Sequence, residues 1–401
     1  MKRIIIQIIC CLFLQFGYSQ NQNPELTKTL QSIYKKSGFP GFAVAVLNEN
    51  GIVYENAFGF ADVKNKLPYT TNSVQNIGSV SKTFIGVALL KAVELGYFNL
   101  DADVNSVLPF NVSNPDFPNA PITIRQLATH TSSIIDDENV YPKTFYPNEY
   151  SDVKSVLYKD FITHSTIQNQ TDLELSTFLK SYLSQGGKLF NKTNFATEKP
   201  GTAYHYSNIA SALAAYIIEV KAKIPFDQFC KKYIFEPLQM NQTSWKLTDS
   251  IVKNHVKIYN RKMQYYPLYS EITYPDGSLK TSISDLSKYL AEMISGLSGN
   301  GKILSKESFT TLFQKQFSDD QLPIHFDPKE PNSGIFWRIK SNGQIGHTGS
   351  DLGITTFMFF DPKTKTGKIF LTNIEFDDPH QEGVDKKLVN DFLKVWKTLD
   401  N

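Results

Sequence analysis

The sequence predicts an α/β fold joined to an all-α region. The sheet is expected to be mixed but largely antiparallel, built from both termini and flanked by helices, with a helical domain inserted between its halves. Three observations carry this. Apolar hairpin patterns lie near both ends of the chain, amphipathic helical patterns stand outside them, and helical periodicity dominates residues 76–271. The expected division is a leader over 1–19, an α/β sheet domain over 20–75 and 272–401, and a helical domain over 76–271.

The N-terminus reads MKRIIIQIICCLFLQFGYSQ. Lys2 and Arg3 precede an apolar run, and Gly17 and Ser19 offer small residues at a cleavage site. This is the pattern of a secretory signal peptide, too short for a committed membrane span. Cys10 and Cys11 lack the small residues that a lipid-attachment site places before its cysteine, so no membrane anchor is expected after cleavage. The expected location is secreted or periplasmic.

Cleavage after Ser19 leaves 382 of the 401 residues, with 39 basic against 39 acidic side chains. A balanced charge gives no reason to expect nucleic acid or an anionic membrane as partner. Only Cys230 survives processing, so no intrachain disulfide can form. In IPFDQFCKKYIF it shares a helical stripe with Phe226, Phe229, Tyr233 and Ile234, as a buried structural thiol would.

Residues 24–37 read as a helix closing at Gly38-Phe39-Pro40. FAVAVLNENGIVYENAFGFA then reads as two strands around an Asn-Glu-Asn-Gly turn. Near the C-terminus GITTFMFF and KIFLTN flank DPKTKTG as a second hairpin, and DKKLVNDFLKVWKTL follows as an amphipathic helix. A polar, tyrosine-rich stretch over 134–169 interrupts the helical region. It could overhang a cleft or be a packed surface excursion.

Ser-x-x-Lys occurs four times, at Ser32/Lys35, Ser79/Lys82, Ser151/Lys154 and Ser250/Lys253. Three of these have solvated surroundings. Ser79 and Lys82 open a helix whose following turns carry Ile85, Gly86, Leu89 and Val93 at spacings of three and four. A lysine there should be desolvated, with a lowered pKa that suits it to act as a base. Read without other context, Ser79 is more readily an N-cap and Lys82 a snorkelling charge.

Tyr206 and Asn208, in AYHYSNIASALAAYIIEV, lie on a turn that runs directly into a buried helix. Tyr54/Asn56 and Tyr146/Asn148 repeat the spacing in a strand and a polar loop. Lys365-Thr366-Gly367 sits in a hairpin turn, whereas His347-Thr348-Gly349 opens a strand whose glycines allow close approach to its backbone. There is no Gly-x-Ser-x-Gly elbow, and the seven histidines show no paired spacing of the kind a metal site needs. No cofactor or metal is expected. His130, in ATHTSS, reads as a turn residue.

Ser79-x-x-Lys82, Tyr206-x-Asn208 and His347-Thr348-Gly349, in this order, resemble the serine beta-lactamase-related family. That family includes class C beta-lactamases, D-alanyl-D-alanine carboxypeptidases, and related esterases and D-aminopeptidases. ITIRQLATHTSSI, IFEPLQMNQTSW, DGSLKTSISDLSKYL and GHTGSDLGITTFMFFDP extend the resemblance over nearly the whole mature chain. It implies a beta-lactamase/transpeptidase-like fold and a small-molecule or peptide substrate. It implies Ser79 as nucleophile, with Lys82 and Tyr206 sharing the proton work in an order left open. Asn208 would bond the substrate or Lys82, the backbone N–H groups of Ser79 and Ser350 would form the oxyanion hole, and His347 and Thr348 would face the substrate alongside Gly349. Two departures stand out. Ser133 replaces a usual glycine, and His347 replaces the lysine of the beta-lactamase and carboxypeptidase members. Histidine is shorter and largely neutral at pH 7, so weak or no beta-lactamase activity is expected. The alternative from a different class is a non-catalytic binding or scaffolding protein on the same fold.

Overall fold

The structure is a computed structural model that describes residues 23–165, 174–378 and 381–400. The leader lies outside these residues, as does the end of the tyrosine-rich stretch. No helix among the described residues is long and apolar enough to cross a membrane.

The first predicted hairpin forms strands Gly41–Asn48 and Gly51–Asp62, and the second forms Ile354–Asp361 and Thr366–Thr372. The two hairpins meet where Gly41–Asn48 pairs with Thr366–Thr372, with Phe42 opposite Thr372 and Asn48 opposite Thr366. Ile345–Asp351 adds next to Ile354–Asp361, and short edge strands complete an eight-stranded sheet. Every pairing within it is antiparallel.

Its central strands are apolar on both faces because helices cover both. Along Gly41–Asn48, Phe42 and Val44 join Phe370 in a cluster with Leu30, Phe392 and Val395 of the two terminal helices, Pro24–Lys36 and Lys386–Thr398. The alternate residues Ala43, Ala45 and Leu47 face the main core with Ile369, Leu371, Leu290 and Ile294. The last two belong to helix Ile283–Leu297. This period-two division is what a strand buried on both sides requires.

The helical part centres on Ser81–Glu94 and Asn208–Ala222, which pack on each other. Ser81 through Leu90 is buried without interruption. The expected apolar stripe is therefore a helix buried all round. Cys230 is buried and free, and burial pushes its thiol well up, away from the reactive thiolate.

The described part of the tyrosine-rich stretch, residues 134–165, is tied down by a strand pairing and two hydroxyls. Phe145–Pro147 pairs with Tyr269–Glu271, and the hydroxyls of Ser151 and Ser155 donate to the carbonyls of Leu268 and Tyr265. The segment lies packed along residues 265–276.

Candidate active site

Ser79 sits in a single tight turn, Gly78–Val80, directly ahead of helix Ser81–Glu94. It does not cap that helix with its side chain. Gly78 takes φ +53°, the left-handed region open to glycine. Lys82 lies one turn on, fully buried, while Ser79 stays partly exposed.

Lys82 Nζ makes three hydrogen bonds: to Ser79 Oγ at 3.1 Å, to Asn208 Oδ1 at 2.6 Å and to the Asp276 carbonyl at 2.7 Å. An ammonium has three donors, and these three acceptors use all of them. The expected lowering of its pKa does not occur. Burial pushes it down, but Tyr206, Asp276 and Asp136 together outweigh burial and hold Lys82 above its ordinary value. The other three Ser-x-x-Lys lysines are exposed.

Tyr206 enters from the turn before helix Asn208–Ala222. Four hydrogen bonds at that helix start fix its position. Ser207 caps the helix by accepting from Ala210 N, and the Asp136 carboxylate accepts from Ser207 Oγ at 2.6 Å and from the amides of Asn208 and Ile209 at 2.7 and 3.0 Å. A carboxylate at a helix N-terminus satisfies donors that would otherwise be orphaned. His130 takes φ +56°, stacks 4.4 Å from the Tyr206 ring and accepts from Ser207 N through Nδ1 at 3.2 Å. Burial, with Lys82 and Arg338 nearby, holds it well below its ordinary pKa, so it remains the neutral acceptor this bond requires. It is a turn residue, as its sequence context suggests, and the turn supports Tyr206.

The Tyr206 hydroxyl is buried and has no partner at hydrogen-bond distance among the described residues. Two cations flank its ring: Lys82 Nζ at 5.0 Å and the Arg338 guanidinium at 5.2 Å from the centroid. Both cations offset negative charge that develops on this side chain.

Strand Ile345–Asp351 forms the opposite wall. A Cβ on Gly349 would fall 1.9 Å from the Ile77 carbonyl and 3.2 Å from Ser79 N, and one on Gly78 would fall 3.0 Å from Ser350 N. The close approach that the glycine permits is thus to the chain's own Ile77–Ser79 backbone rather than to a ligand. It brings the amides of Ser79 and Ser350 onto facing segments. His347 is buried, its Nδ1–H donating to the Thr348 carbonyl at 2.6 Å, which leaves Nε2 as an acceptor. Burial and then Arg338 keep its pKa well below the ordinary value. The literal Lys365-Thr366-Gly367 lies at the hairpin turn, with Lys365 at φ +57° and paired to Glu49 at 2.6 Å.

The site thus gathers Ser79, Lys82, Tyr206, Asn208, His347, Thr348, Gly349 and Ser350. It also contains Arg338 and Asp136, which the sequence reading missed, and Tyr141 from the tyrosine-rich stretch, which the sequence alone leaves as either an overhang on a cleft or a packed surface excursion. Arg338 bonds Glu330 at 2.6 Å and lines, with Tyr206, His347 and Phe326, a cavity of about 190 Å³. Tyr141, from the tyrosine-rich stretch, donates to Asp276 Oδ1 at 2.9 Å, behind the carbonyl that holds Lys82. Arg338 and Asp136 carry no local motif. Only the need of the Asn208 helix start for an acceptor could have pointed toward Asp136.

This body, an antiparallel sheet between helices with a serine and a buried lysine where the helical part meets it, defines a serine-hydrolase class related to penicillin-binding proteins. The chain belongs to the Beta-lactamase family, whose model matches residues 26–389. It is 25% identical over 395 residues to "Penicillin-binding protein 4*" of Bacillus subtilis (strain 168), covering 91% of this chain and 75% of that protein. It is 22% identical over 384 residues to "Protein flp" of Staphylococcus aureus (strain N315), covering 93% and 68%. The octameric penicillin-binding protein homologue from Pyrococcus abyssi shares the fold, with a TM-score of 0.63 and 23% identity over 87% of this chain and 73% of that one.

Proposed function

We propose that the protein is a secreted or periplasmic serine hydrolase that forms an acyl-enzyme on Ser79, acting on an ester, an amide or a D-amino-acid peptide. The observation that carries this reading is the 3.1 Å contact between Lys82 Nζ and Ser79 Oγ, with a buried lysine behind an accessible serine. Ser79 Oγ bonds to the substrate carbonyl carbon as its proton passes to the Lys82–Tyr206 pair, which enters the step with one proton fewer than an ammonium and a phenol hold together. Lys82 Nζ, 3.1 Å from Ser79 Oγ, is the member of that pair in contact with the serine, and Tyr206 lies beside it. The carbonyl oxygen, now negative, is bound by the amides of Ser79 and Ser350. Collapse breaks the bond to the leaving group, which takes that proton from the Lys82–Tyr206 pair, and water then repeats the sequence to release the acid.

Weak or absent beta-lactamase activity fits a wall where His347 is neutral and Arg338 is already paired with Glu330. The test is an acylating fluorophosphonate or penicillin probe followed by peptide mapping, together with p-nitrophenyl esters, nitrocefin, D-amino-acid amides and D-Ala-D-Ala peptides as substrates. One adduct on the Ser79 peptide is expected. Lys82→Ala and Tyr206→Phe should each lower kcat by about 10² or more, and the double variant should be scarcely worse than the poorer single. An adduct elsewhere, or full turnover by Ser79→Ala, would sink the reading. No labelling and no turnover would favour a non-catalytic binding protein.

A further inference from the structure

We propose that Glu198, His205 and His325 bind one divalent transition-metal ion on the outer wall of the cleft. No sequence spacing announces the site, because His325 reaches it from a distant segment. His205 Nε2 lies 3.3 Å from Glu198 Oε2, and His325 Nε2 lies 3.6 Å from Glu198 Oε1. The three ligand atoms all fall within 4.8 Å of one another. Zinc bonds of about 2.0–2.1 Å in a tetrahedron separate neighbouring ligand atoms by roughly 3.4 Å, so the set closes on an ion with small side-chain rotations. Two imidazoles and one carboxylate suit Zn²⁺ and its neighbours in the first transition row rather than Ca²⁺ or Mg²⁺. All three side chains keep some exposure, which gives an ion entry and a water for its fourth position.

The backbone prepares this arrangement. Tyr204 N donates to the Ile324 carbonyl at 2.9 Å, and Ile324 N donates to the Thr202 carbonyl at 3.0 Å. That parallel bridge sets His205 and His325 side by side, with 5.6 Å between ring centroids. His325 takes φ +70°, a left-handed conformation that costs a histidine energy and that the surrounding chain must enforce. Such strain with convergent ligands points to a site rather than to a casual ion pair.

The location gives the ion a role. His205 directly precedes Tyr206, and His325 directly precedes Phe326. Tyr204 stacks on Phe326 at 4.6 Å, and all three aromatic residues line the 190 Å³ cavity. A bound ion fastens the segment carrying Phe326 to the segment carrying Tyr206. It is a strut on the cleft wall, and the chemistry at Ser79 is not routed through it.

The experiment is calorimetric titration of untagged, chelator-stripped mature protein with ZnCl₂, repeated with CoCl₂ to read coordination from visible absorption. One equivalent is expected. At about a hundredfold excess over Kd, Tm should rise by roughly 3 °C. His325→Asn, which tolerates the left-handed backbone, and Glu198→Gln should each weaken binding at least ~10-fold and abolish the tetrahedral Co²⁺ bands. If one variant fails to fold, the other carries the test. Absence of saturable binding overturns the proposal, as does one-equivalent binding that survives both substitutions.

Discussion

Asn208 Oδ1 accepts from Lys82 Nζ across 2.6 Å, although 126 residues separate them. The bond joins the start of one central helix to the first turn of the other, and it fixes the lysine toward Ser79. Asn208→Ala would leave one donor of a buried cation unpaired. A loss of about 1–3 kcal/mol in unfolding free energy is expected, with a fall in kcat of tenfold or more. Asn208→Asp separates the two effects. The added charge keeps the bond, so stability should hold, yet it binds the lysine proton more firmly and kcat should still fall. Denaturant unfolding and steady-state kinetics on both variants decide this. Equal stability of Asn208→Ala and the parent would mean the bond is idle.

Arg338 is the cation that the sequence reading lacked, and Glu330 neutralises it at 2.6 Å. Glu330→Gln would free the guanidinium toward the cavity it shares with His347. A charge-assisted bond to a substrate carboxylate contributes roughly 1.5–3 kcal/mol, or about tenfold or more in kcat/KM. The gain should appear for beta-lactams or D-Ala-D-Ala peptides and be absent for neutral p-nitrophenyl esters. It should shrink as salt rises, because both partners are partly exposed. Equal gains on both substrate classes would refute the charge argument.

Both hairpins and both terminal helices were legible because period-two and period-3.6 apolar patterns record local burial directly. Ser79 stood out from its rivals for the same reason, since only its lysine opens a run of apolar turns. The ionic state of Lys82 was not legible. Burial, which the pattern shows, lowers its pKa, while the groups that outweigh burial come from residues 136, 206 and 276. Arg338 and the fit of Gly349 against Ile77 were hidden likewise, because each depends on how distant strands and turns meet. Local sequence records what a residue is buried in, and seldom what is buried beside it.

Ser133 takes φ +65°, in the left-handed region that favours glycine. A left-handed residue other than glycine costs about 1–2 kcal/mol. The hydroxyl offsets part of that by accepting from Asn114 Nδ2 at 3.0 Å. Ser133→Gly removes both strain and bond and should be nearly neutral. Ser133→Ala keeps the strain and loses the bond, so it should be about 1 kcal/mol less stable than the glycine variant. Chemical denaturation of the three proteins measures the difference. An alanine variant as stable as the glycine one would show that the turn is unstrained.

His347 is buried among Arg338, Lys82, His130 and Tyr206, and its pKa is held well below 6.5, by burial first. In the unfolded chain the same imidazole takes up a proton as pH falls below about 6.5. The unfolded state then binds more protons than the folded one, so stability falls with falling pH. His347→Gln has no such group and should escape this share of the loss. His130 behaves like His347 and remains in the variant. Asp351, pushed up to about 7 by burial, acts in the opposite sense and also remains, so both cancel in the difference. Between pH 6.5 and 5.5 the parent should lose about 1 kcal/mol more than the variant in denaturant unfolding. Over the same range the His347 ring protons should not shift in an NMR titration of the folded protein. Parallel stability curves, or a ring titrating near 6.5, would show that His347 is open to solvent and free to charge. It would then act on substrates as a cation below that pH, contrary to its burial beside Arg338 and Tyr206.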